Sequence, residues 1–208
     1  MDIAIAGGHG QIALHLSRLL TERGDSVTGL IRNPDQTADL EAAGATPVVL
    51  DMEAEHDFSK HFEGADAVVF AAGAGADSGD ERKRTVDLGA AVKLMDAGVS
   101  RYLMISSIGA GDPDSAPDAM QAYQRAKGEA DDTLQQSGLD YTIVRPGRLT
   151  DGAATGHVNA GPDLERGDIP RADVALVLLA CLDTPASVGK TFNVVAGDDP
   201  VAAAVQAL

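Results

Sequence analysis

Residues Ala4–Leu16 read AIAGGHGQIALHL. Alternating small apolar residues stop at Gly7, Gly8, His9 and Gly10, and apolar residues then resume at helical spacing. That change of period predicts a strand that feeds a helix through a glycine-rich turn. Gly7, Gly10 and Ala13 form a G-x-x-G-x-x-A pattern. The first glycine permits a tight turn, the second lets backbone approach a pyrophosphate, and the small Ala13 lets the helix pack on its strand. The helix start offers unpartnered N–H groups and a partial positive charge to phosphate oxygens.

Outward from this turn the chain repeats the same alternation. Short apolar runs occur as SVTGLI from Ser26, TPVVL from Thr46, DAVVFAA from Asp66, RYLMIS from Arg101, YTIVR from Tyr141 and TFNVV from Thr191. Between most of them lie segments of helical period, among them ERKRTVDLGAAVKLMDAG and DAMQAYQRAKGEADDTLQQSG. Gly24, Gly98 and Gly138 sit where such helices should stop. Near-continuous apolar strands separated by helices predict an α/β fold, a doubly wound parallel sheet with helices on both faces. The 208 residues suit one domain, 1–208, with a small C-terminal extension. Within it 151–170 lacks clear periodicity and is expected to be a loop, either a lid on the substrate side or a simple excursion.

With 32 acidic against 16 basic side chains the formal charge is −16, which repels nucleic acid and anionic membranes. A small molecule is the expected partner, and the oligomeric state is not legible. One cysteine, Cys181, inside VALVLLACL, reads as a small buried apolar residue. The absence of a disulfide framework and of a leader or membrane-length apolar run leads to the expectation of a soluble, cytoplasmic protein. Five histidines without clustered partners give no expectation of a metal site. His157 is the one placed to meet a substrate, and Asp173 in IPRADVA reads as a helix cap with Arg171 anchoring the loop.

Two further positions carry chemistry. About 20 residues beyond the glycines, at the end of the second strand, a carboxylate would hold the ribose hydroxyls of NAD. GLIRNPD places Arg32 there, whose guanidinium suits a 2′-phosphate, with Asp35 three residues on as a ribose alternative. NADP is therefore the expected cofactor, with NAD the alternative, and a plain surface arginine remains open. On the helix containing AYQRAKGEA, Tyr123 and Lys127 are one turn apart on one face. An ammonium beside a phenol favours the phenolate, the charge state that acid–base work needs. Ser106 and Ser107, ending the preceding strand, offer hydroxyls to a substrate carbonyl. This constellation reads either as a hydride-transfer site or as a ribose contact without turnover.

Taken together, GGHGQIALHL, LIRNP, LDM, VVFAAG, SSIGA, YQRAK, LDYTIVRPGRLTDG and IPRADVALVLLACL resemble the atypical, NmrA-like members of the short-chain dehydrogenase/reductase superfamily, NAD(P)-binding proteins of Rossmann fold that also include epimerase/dehydratase-type members. The resemblance implies that Gly7, His9, Gly10, Gln11 and Ile12 line the pyrophosphate and Arg32 takes the 2′-phosphate. It places Asp51 and Met52 beside the adenine and Ala71, Ala72 and Gly73 along the ribose. It makes Tyr123 the acid/base, Lys127 the ribose anchor and Ser107 the substrate hydrogen bonder with Ser106 as alternative, while Pro146, Gly147 and Arg148 close over the nicotinamide. Asp87 stands where many members carry asparagine. The implied activity is an NADP(H)-dependent oxidoreductase acting on a small carbonyl or quinone-like acceptor. A non-catalytic NADP sensor and a sugar-nucleotide epimerase or dehydratase are the alternatives.

Overall fold

The structure, a computed structural model, describes residues 1–73 and 79–208. Seven parallel strands form the centre of one sheet: β1 (Asp2–Ala6), β2 (Ser26–Ile31), β3 (Thr46–Val49), β4 (Ala67–Phe70), β5 (Arg101–Ile105), β6 (Asp140–Pro146) and β10 (Lys190–Ala196). Their spatial order is β3-β2-β1-β4-β5-β6-β10. Two antiparallel strands, β8 (His157–Gly161) and β11 (Asp199–Pro200), continue the β10 edge. The order reverses between β1 and β4, both parallel to β1's other neighbour β2, and this switch point opens a crevice at the strands' carboxyl ends. The architecture is the Rossmann fold expected from the alternation of strands and helices.

Strand alternation splits the core between two faces. Ile3, Ile5, Val69, Leu103 and Val144 point to one side, where α1 (Gln11–Arg23) contributes Ile12, Leu16 and Leu20 and α6 (Arg171–Asp183) contributes Val174, Val177 and Leu178. Ala4, Ala6, Val68, Phe70, Tyr102 and Met104 point to the other, against α5 (Asp118–Gln136) and a long mixed helix. That mixed helix runs from α3 (Asp80–Arg82) through a π-helical stretch, Lys83–Ala90, into α4 (Ala91–Met95). Ala90 and Ala91 leave room for the fully buried Tyr102, whose hydroxyl donates to the Ala91 carbonyl at 2.9 Å. Burying a side chain such as Leu16 or Leu103 contributes about 1.5–3 kcal/mol.

Glycines end the helices as anticipated: Gly24 caps α1 at φ 94°, and Gly98 and Gly138 also take positive φ. Two segments depart from the sequence reading. The stretch 151–170 holds β8 and β9 (Asp168–Pro170), the latter paired with β7 (Arg148–Thr150). Asp173 does not cap α6, whose N-cap is Pro170. The fully buried Asp173 carboxylate instead accepts from the N–H groups of Thr155 and Gly156 and from the Thr155 hydroxyl, tying the chain before β8 to α6. Arg171 does anchor this region, donating to Asp151. His157 lies exposed on β8 opposite Pro200, away from the crevice.

Cys181 is buried in α6, and burial pushes its thiol up to about 12 against the lowering influence of Arg101. A thiol so buried offers almost no thiolate at pH 8. Ellman's reagent is therefore expected to leave the native protein unmodified and to titrate one thiol after denaturation; fast native-state reaction would contradict this packing.

Candidate active site

The turn after β1 is built for close approach. Gly7 has φ 82°, and a Cβ there would lie 2.6 Å from the Ala72 Cα, so no other residue fits without moving β4's continuation. A Cβ on Gly10 would come within 3.3 Å of the Gly7 oxygen and 3.6 Å of the Ala71 oxygen, the space between the turn and the chain leaving β4. α1 begins with no side-chain cap, which leaves its first-turn N–H groups to whatever lies beyond Gly10. A crevice of about 320 Å³ opens here, lined by Gly7, His9, Gly10, Arg32, Asp51 and Met52 on one side and Ala71, Ala72 and Gly73 on the other. Gln11 and Ile12 form the start of α1 at its edge. His9 is held by Asp39, with Nε2 2.8 Å from Oδ2.

At the far end of the crevice two guanidiniums converge on one carboxylate. Arg32 Nη1 is 3.5 Å, and Arg82 Nε 4.0 Å, from Glu53 Oε2. The Thr85 hydroxyl donates to the other Glu53 oxygen at 2.5 Å. Arg82 Nε is buried and has no hydrogen-bond partner among the described residues. Sequence reading found Arg32 by its distance from the glycines; Arg82 arrives from a helix fifty residues later and carries no local signal.

Gly73 also lines a second, larger cavity of about 920 Å³, so the two spaces meet there. Ser106, Ser107, Tyr123, Pro146, Gly147 and Arg148 line this cavity. Lys127 lies behind Tyr123, 3% exposed, with Nζ 5.9 Å from the Tyr123 ring centroid and 5.6 Å from that of Phe70. Its ammonium donates to the Ile105 carbonyl at 3.0 Å and pairs with Asp87 Oδ1 at 3.2 Å. Burial works against that charge, but the oxygens of Tyr123 and Asp87 more than reverse the effect, and the ammonium is held above the ordinary lysine range. Asp87, on the π-helical stretch, is fully buried and its Oδ1 would be 3.3 Å from a Cβ on Gly73. The pair thus lies under the junction of the two spaces.

The two serines differ in availability. Ser106 is buried, and its hydroxyl donates to Asp131 Oδ2 at 2.9 Å, the same oxygen that receives Arg145 Nε at 2.8 Å. Burial raises the Asp131 carboxyl above the usual range although Arg145 and Ser106 stabilise its charge. Ser107 is half-buried; its hydroxyl makes a long 3.3 Å bond to the Ile108 carbonyl and accepts from Gln124 Nε2 at 3.2 Å. Ser107 is therefore the more exposed and the more loosely held of the two hydroxyls.

The model of a family described as NAD(P)H-binding matches residues 7–185, from the first glycine of the turn past the end of α6. The chain belongs to the NAD(P)H-binding family. It is 37% identical to YhfK of Bacillus subtilis, named as an uncharacterised sugar epimerase, over the whole of both chains. A solved structure from Bacillus halodurans, assigned by name to the NAD-dependent epimerases/dehydratases, superposes with TM-score 0.95 at 40% identity, covering 100% of each chain. The oxidoreductase ylbE from Lactococcus lactis superposes with TM-score 0.87 at 28% identity, covering 100% of this chain and 96% of that one. The crevice of this NAD(P)H-binding chain fits a nicotinamide dinucleotide: a glycine cradle that a side chain would fill, an uncapped helix start, and cationic groups at one end. Its second cavity contains two residues that sequence reading missed. Gln124 is 2% exposed, its Oε1 without a hydrogen-bond donor among the described residues, and Arg166 comes from the turn between β8 and β9. No helix among the described residues is long and apolar enough to cross a membrane.

Proposed function

We propose that this chain is an NADPH-dependent reductase of the short-chain dehydrogenase/reductase type, acting on a small carbonyl or quinone-like acceptor with Tyr123 as the proton donor. The observation that carries the proposal is Tyr123 in the wall of the larger cavity, with a buried, charged Lys127 behind it, beside the Gly73 junction with the nucleotide crevice. The cofactor supplies a hydride when bound. Gly7, Gly10 and the start of α1 hold its phosphates, and Ala71 to Gly73 guide it toward the cavity. Ser107 orients the acceptor oxygen, and Tyr123 Oη gives that oxygen a proton. The Lys127 charge stabilises the phenolate left behind. Pro146, Gly147 and Arg148, with the segment 151–170, form the substrate side. A reducing, cytoplasmic setting suits this chemistry.

Arg32 and Arg82 support NADP over NAD, because a 2′-phosphate can take both guanidiniums in place of Glu53. Arg32→Gln is expected to raise the Kd for NADPH about ten- to a hundred-fold while leaving that for NADH within about two-fold. Titration of nicotinamide fluorescence checks this, and an equal loss for both cofactors would contradict the assignment.

The test of the function is the absorbance of NADPH at 340 nm with a panel of small aldehydes, ketones and quinones. Net oxidation with at least one acceptor is expected. Binding without oxidation across the panel would favour a sensor, and sugar-nucleotide turnover without net oxidation would favour an epimerase, which returns its hydride to the same substrate.

A further inference from the structure

We propose that the acceptor carries a carboxylate and that Arg166 binds it; this rests on the reductase reading for the acceptor's chemistry, but not for the anion site itself. In a chain of formal charge −16, the larger cavity is lined by Lys83, Arg148, Arg166 and Arg171 against a single acid, Asp168. Three of these cations are already matched. Arg148 grips Asp168 with two hydrogen bonds, Arg171 pairs with Asp151, and Lys83 pairs with Asp80 at 3.1 Å. Arg166 has no carboxylate partner among the described residues.

Its guanidinium is nevertheless placed. Arg166 Nη2 lies against Gly109, 2.4 Å from where a Cβ there would sit, and that position is 3.4 Å from the Gln124 amide. Gln124 follows Tyr123 on α5 and is buried in the same wall, with its Nε2 donating to the Ser107 hydroxyl at 3.2 Å, so Arg166 borders the residues around Tyr123. Ile108, Met120, Pro146 and Leu149 supply the apolar surface between them. An anion approaching this acidic chain is repelled at long range and needs local compensation. One unmatched guanidinium compensates one charge, and its planar fork fits a carboxylate. A phosphomonoester dianion would retain surplus charge there. The ligand that fits is an apolar body bearing one carboxylate beside its reducible group.

Three probes decide the matter: 4-carboxybenzaldehyde, its methyl ester and 4-formylphenyl phosphate. Each is titrated calorimetrically into NADP⁺-loaded protein and assayed separately for NADPH oxidation. The free acid is expected to bind about ten- to a hundred-fold more tightly than the ester, with the same ratio in KM. Arg166→Gln should bring the ratio close to one and Arg166→Lys should restore part of it, both with an unchanged melting temperature because Arg166 is exposed. Equal binding of acid and ester, a preference that survives Arg166→Gln, tighter binding of the phosphate, or no binding of any probe would overturn the proposal. If the acid binds through Arg166 but no aldehyde is reduced, the anion site stands and the reductase reading falls.

Discussion

Tyr123→Phe is expected to lower turnover of any accepted carbonyl by about 10²- to 10⁴-fold and to leave NADPH affinity unchanged. In the proposed reaction the Tyr123 hydroxyl, in the cavity wall, gives a proton to the acceptor oxygen, and removing it leaves the glycine turn and the crevice in place. Loss confined to kcat with an unaltered Kd for NADPH separates proton donation from cofactor binding. A variant that retains more than about a tenth of the rate would place the proton donor elsewhere.

The second large effect concerns stability. Asp87→Ala removes the carboxylate facing the ammonium of Lys127, and both residues are almost wholly excluded from water. A buried charge deprived of its partner costs about 3–5 kcal/mol, or a melting temperature lower by roughly 6–20 °C for a chain of this size. The joint replacement Asp87→Leu with Lys127→Met should recover most of that loss, because it removes both charges at once. The pH dependence follows from the direction of the Lys127 shift. In the wild type the folded-state value is raised, so the native state holds the proton more tightly, and the stabilisation is complete below the unfolded lysine value and fades as pH rises through the folded one. In Asp87→Ala both raising influences of Asp87 are lost while burial stays, so the raise shrinks and less stability is lost as pH climbs into the alkaline range. Denaturant titrations of the two proteins between neutral and alkaline pH should therefore converge; parallel curves would show that the pair contributes no linkage.

Much of this architecture is legible in the sequence for local reasons. Strands such as AVVF and RYLMI are buried on both faces and read as unbroken apolar runs. β8 reads HVNAG and carries no such signal, because only Val158 is fully buried there and no apolar run forms. The π-helical stretch around Asp87 is hidden because its wider turn changes spacing without changing residue type. Asp173 resembles a cap in sequence, yet Pro170 already starts the helix in extended geometry, and the carboxylate is recruited by backbone donors eighteen residues upstream.

The site divides along the same line. The glycine turn and the Tyr123–Lys127 spacing are short-range patterns. Gln124 and Arg166 meet only because α5 and the turn before β9 wall one cavity, and Arg82 reaches Glu53 only through the fold. Net charge is also blind to position: a chain with twice as many acids as bases still gathers cations around one cavity.

The central claim, hydride transfer into the cavity beside Tyr123, is tested most directly with NADPH carrying deuterium at both C4 positions and 4-carboxybenzaldehyde as acceptor. The expected result is 4-(hydroxymethyl)benzoate with one deuterium at the carbinol carbon. Product without deuterium, or bound NADPH that gives no product with this or any acceptor of the panel, would contradict it.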